Sequence, residues 1–172
     1  MKSKSIEEIS RSAFITANLF LEASKILVRE LSVKQNFNVI GPYVVNMSFA
    51  AEVYLKCLYI IESRNIPKKY THNLKELFYL LPKQTRNIVK GYYDQYVSSD
   101  PMAQAVKAHM KSDQDVGIDL GLDTVLSEAS NAFTEWRYHW HEGKAKGFGE
   151  VPHVVEALRR YILELKPTWR NP

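Results

Sequence analysis

The stretch Asn131 to Glu142 threads Arg137, His139 and His141 among Phe133, Trp136, Tyr138 and Trp140. Aromatic rings of that size belong in a core, so cationic or titratable side chains set among them must be paired or engaged with a ligand. On a helix Arg137 and His141, four residues apart, share one face, and Glu135 and His139, also four apart, share a neighbouring one. A guanidinium beside an imidazole suits a phosphate group: the first holds negative charge and the second carries a proton.

Positioning these groups requires helices, and the chain is patterned for them nearly throughout. Ile6, Ile9, Ala13, Ala17, Phe20, Ile26 and Leu27 recur at steps of three and four, and Ser5 with Glu8 forms a capping-box pattern, which predicts a first helix to about Leu31. A loop through Asn36 and Gly41-Pro42 precedes Tyr43 to Ile61, apolar on every side and therefore a central helix covered all round. After Pro67, Lys68 and Lys69, a short helix is expected from Thr71 or His72 to before Pro82, then another over about Lys83 to Tyr96. Residues 98–121 read as a flexible insertion with a short helix near Ala103 to Met110. From Asp123 one long helix should carry the polar cluster to about Lys144, and a last helix should run from about Pro152 to Leu165. The expected architecture is an all-α, up-and-down bundle of about five to seven helices, one domain over residues 1–172.

Bulk properties narrow the choice. At 172 residues and 45% hydrophobic the chain can close one core. Basic residues number 23 against 19 acidic ones, a net charge of +4 that permits a polyanion partner without requiring it. The single cysteine, Cys57, excludes an internal disulfide and reads as a buried hydrophobe; mid-helix in apolar company, its thiol should stay protonated. No apolar run approaches the roughly 20 residues of a membrane span, and Met1 to Ile9 does not resemble a secretion signal. A soluble, cytoplasmic protein without membrane attachment is expected. His139, His141 and Glu142 lie close in sequence but on diverging helix faces with no cysteine nearby, so neither a metal nor another cofactor is expected. No glycine-rich phosphate loop is present.

Three segments together resemble the HEPN domain family: Phe49-Ala50-Ala51-Glu52-Val53-Tyr54-Leu55-Lys56, Thr71-His72-Asn73-Leu74-Lys75-Glu76-Leu77, and Ala132-Phe133-Thr134-Glu135-Trp136-Arg137-Tyr138. The resemblance covers about Tyr43 to Leu165. It implies a small helical bundle that dimerises and, in many members, a metal-independent endoribonuclease of toxin–antitoxin and defence systems whose catalytic signature pairs an Arg with a His further along the same helix. On that reading Arg137 and His141 are catalytic, and a two-fold axis doubles them in one cleft. Arg would hold the phosphorane charge while His moves protons to and from the ribose 2′-hydroxyl and the leaving oxygen, each group contributing about 10²–10⁴-fold.

This chain departs from the signature, since only three residues separate Arg137 from His141 and the neighbour of Arg137 is Tyr138. The resemblance therefore implies an alternative, a non-catalytic module that binds RNA or nucleotide, or a partner or scaffold for a cognate nucleotidyltransferase or antitoxin. A structural reading stands beside both: Arg137 and Glu52 as a buried ion pair with Lys56 as additional partner, and His72 as a capping or core-satisfying residue hydrogen-bonded to them; Glu52, Lys56, His72, Asn131, Tyr138 and His139 are read as one polar network that either binds the ligand or is structural.

Overall fold

A computed structural model describes residues 4–67, 71–112, 119–130 and 150–170. Among them the chain forms seven α-helices and no strand: α1 (Ile6–Lys34), α2 (Ile40–Ser63), α3 (Leu74–Tyr79), α4 (Lys83–Ser99), α5 (Pro101–Ser112), α6 (Leu122–Ala129) and α7 (Val151–Leu165). Short 3₁₀ turns occupy Phe37–Val39 and Pro167–Arg170. The all-α expectation holds.

α1 starts where its capping box dictates. Glu8 N–H donates to Ser5 Oγ at 3.2 Å while Ser5 N–H donates to Glu8 Oε2 at 2.7 Å, so two otherwise unpaired amides are satisfied reciprocally. The helix buries Ser10, Phe14, Ala17, Leu21 and Ser24, a stripe at steps of four and three laid along α2. It ends at Gln35, whose φ of 52° is left-handed backbone.

α2 is the axis of the bundle. Ala50, Ala51, Tyr54, Leu55, Cys57 and Leu58 are fully buried around its circumference, with α1 on one side and α7 and α3 on others. It begins three residues before the expected Tyr43, because Gly41-Pro42 lies inside the first turn, where a missing N–H breaks no hydrogen bond. Helical structure over Phe37–Ser63 is long and apolar enough, by length and composition, to cross a membrane, which corrects the expectation that no apolar run approaches that length. Its apolar surface is mostly spent inside the bundle.

α4 packs against α5, α6 and α7, and α6 touches α3 and α7. α5 includes the short helix expected near Ala103 to Met110 and is longer than it, running from Pro101 to Ser112; it is begun by Asp100, whose Oδ1 accepts Met102 N–H at 2.8 Å, with Pro101 at the first helical position. Beyond the last helix the Pro167–Arg170 turn folds Trp169 back onto Phe14 of α1, ring centroids 5.4 Å apart, while Phe14 meets Tyr54 of α2 at 5.9 Å. That aromatic trio locks the chain's last described segment to its first helix.

Candidate functional site

Glu52 lies on α2 and is buried, with 7% of its surface exposed. A lone carboxylate there would be costly, and the sequence supplies two partners. Lys56, one helical turn on, places Nζ 2.5 Å from Glu52 Oε1. His72, in the segment leading into α3, places Nδ1 3.1 Å from both carboxylate oxygens. The imidazole is 68% exposed while the carboxylate is 9% exposed, so the pair runs from core to surface. The contact orients the imidazole against the buried carboxylate.

The segment carrying His72 is anchored by its neighbours. Asn73, rather than Thr71 or His72, caps α3: its Oδ1 accepts Glu76 N–H at 2.9 Å, because an Asn side chain is short enough to return to the third amide of the helix. Thr71 Oγ1 accepts Asn73 N–H at 3.1 Å. Ser130, at the end of α6, accepts Leu74 N–H at 2.9 Å, and its hydroxyl lies 3.2 Å from Asn73 Oδ1 and 2.6 Å from the Leu126 carbonyl. Ser130, the described residue preceding Asn131 in sequence, therefore lies beside Asn73, the neighbour of His72.

Of the sequence-predicted residues, Glu52, Lys56 and His72 are brought together. Asn131, Arg137, Tyr138, His139 and His141 lie outside the described residues, as does the expected Arg137–Glu52 pair. The long helix expected from Asp123 is described as α6 only, Leu122–Ala129, followed by the turn at Ser130; its expected continuation to Lys144 lies outside the described residues. Among the described residues no cluster of His, Cys, Asp and Glu is arranged to hold a metal.

Sequence reading missed a second polar cluster. His153, in the first turn of α7, places Nε2 2.9 Å from Asp100 Oδ2 and 3.2 Å from Glu150 Oε2. The bond to Met102 N–H is the largest cause, and His153 a further one, holding the Asp100 carboxyl below the ordinary carboxylate range. The pairing of Glu150 with His153, three residues apart, is visible in the sequence; the partner 53 residues away is not. Cys57 fits its expected role: its thiol donates to the Ser10 carbonyl at 3.2 Å, and burial pushes it up to about 12.

Comparison of the chain with family models, with curated proteins and with solved structures finds no match.

Proposed function

We propose that this chain is a HEPN-like protein that binds RNA or nucleotide and acts as a metal-independent endoribonuclease of a toxin or defence system, working as a cytoplasmic homodimer. One observation carries the reading. Two of the three segments in which the chain resembles that family meet in a single contact, Glu52 with His72. The third begins two residues after Ser130, whose hydroxyl lies 3.2 Å from Asn73 Oδ1. A carboxylate and an imidazole held together near Ser130, seven residues before Arg137 in sequence, support a composite site in which Arg137 holds phosphate, His141 moves protons, and Glu52 and His72 position them. The exposed stripe Leu19, Ile26 and Val33 on α1, at seven-residue spacing, supports pairing of two copies.

The test is cleavage of single-stranded and structured RNA in chelator by wild type, Arg137→Ala and His141→Ala, each checked for folding by circular dichroism. Cleavage by wild type alone supports the nuclease. Absence of cleavage by every form removes it and leaves the alternative, a non-catalytic partner or scaffold for a nucleotidyltransferase or antitoxin. That second reading draws on the short Glu52–Lys56 ion pair, which gives the carboxylate a structural use of its own.

A further inference from the structure

Between α3, α4 and α6 lies an open groove of about 320 Å³, within the range of ligand clefts. Lys83, Arg86, Asn87 and Lys90 of α4 line it, facing Tyr79 and Asp123. The three cations stand three and four residues apart on one helix face, spanning about 10 Å along the axis. Elsewhere the helices neutralise their lysines locally, as in Lys25 with Glu22 and Lys34 with Glu30. Here only Lys90 has such a partner, Asp94 at 2.5 Å. Among the described residues no carboxylate pairs with Lys83 or Arg86.

The groove's one acid is already committed. Asp123 accepts the Tyr79 hydroxyl at 2.7 Å and faces Lys75 Nζ at 3.6 Å, so its charge is met within the wall. Arg86 lies over the Tyr79 ring, 4.7 Å from its centroid, and its Nε is buried without a hydrogen-bond partner. Tyr79 remains half exposed. α4 starts at Lys83 with no side chain capping its first amides, so the positive end of its dipole adds to this end of the groove.

We propose that this groove binds the phosphates of an RNA strand, with Lys83, Arg86 and Lys90 tracking the backbone and Tyr79 offering a platform for a base. The row of cations is longer than one phosphate group, and a cationic row beside an exposed aromatic is the pattern of single-strand recognition. The proposal deepens the RNA-binding reading and rests on it for the source of the phosphates; a free nucleotide shares that chemistry, and the test separates the two.

Wild type, Lys83→Gln/Lys90→Gln and Arg137→Ala are titrated in chelator with a fluorescein-labelled 2′-O-methyl oligouridylate, which resists cleavage through its 2′ oxygen, and separately with ATP. The groove variant is expected to bind the strand about tenfold or more weakly, with a plot of log K against log salt shallower by about 1.4, from two lost phosphate contacts. Binding of ATP but not the strand, lost in the groove variant, supports the groove with a free nucleotide as its ligand and overturns the RNA reading instead. A groove variant that matches wild type in affinity and salt slope overturns the groove, even where Arg137→Ala abolishes binding and so leaves the proposed function standing. Failure of wild type to bind either probe overturns it too.

Discussion

The hydroxyl of Tyr54 donates to Asn18 Oδ1 at 2.8 Å, and Arg159 Nε donates to the same oxygen at 3.2 Å, so one amide ties α1, α2 and α7 together at the middle of the bundle. Burial pushes the Tyr54 phenol well above its ordinary range, which keeps the hydroxyl a donor wherever the protein is folded. Tyr54→Phe removes one of two donors to a still-satisfied oxygen and is expected to cost about 1 kcal/mol. Asn18→Ala leaves the buried phenol without its acceptor, while Arg159 keeps Glu156 at 3.8 Å, and is expected to cost about 2 kcal/mol. Urea unfolding of the two variants measures the order, and the reverse order would sink the role given to Asn18.

Asp100 joins two elements through its two oxygens, one accepting from Met102 at the start of α5 and the other paired with His153 of α7. Because the folded protein holds this carboxyl below its unfolded value, the stabilisation it contributes is present above the unfolded value, about pH 4, and disappears as pH falls through the lower folded one. Asp100→Asn should therefore flatten the loss of stability below about pH 4. Denaturant midpoints collected across that range check it; an acid limb as steep as that of wild type would show that Asp100 does not contribute.

How far these features could be read from the sequence follows from their range. The capping box at Ser5 and Glu8 is local, and the start of α1 was legible in the residues themselves. The all-round burial of α2 was legible too, because no partial stripe accounts for its composition. Asn73 in place of His72 as the cap of α3 turns on which side chain folds back, a choice among adjacent polar residues that spacing does not make. α5 was legible as a short helix near Ala103 to Met110, but its start was not, because Asp100-Pro101 reads equally as a turn or a helix start. The Asn18–Tyr54–Arg159 node joins residues 36 and 141 positions apart, and nothing in the local pattern pairs them. The groove on α4 shows why position outweighs composition: its lysines look like any solvated face until Tyr79 and Asp123 are brought opposite.

Glu52 and His72 are expected to respond unequally to substitution. Glu52→Gln leaves Lys56 and His72 without their shared carboxylate in a part-buried setting, a loss of about 2–3 kcal/mol. His72→Ala removes a largely exposed ring whose partner keeps Lys56, and should cost about 0–1 kcal/mol. Thermal melts give both values. A large destabilisation by His72→Ala would move the histidine into the structural frame and remove the ground for a role in positioning.

Cys57 offers a readout of the core that involves no ligand. Its thiol lies on the most buried helix, donates to Ser10 of α1, and is held by desolvation almost wholly in the unreactive protonated form. At pH 8 the folded thiol should react with a disulfide reagent only through opening of the α1–α2 contact, and the rate should rise to that of a free thiol once urea unfolds the chain. Phe14→Ala, which removes a fully buried ring packed on Tyr54 and Trp169, should cost about 3–5 kcal/mol and accelerate labelling in native buffer by the matching factor wherever opening is global. Rapid labelling of the wild-type thiol in native buffer would contradict the packing of α2 against α1.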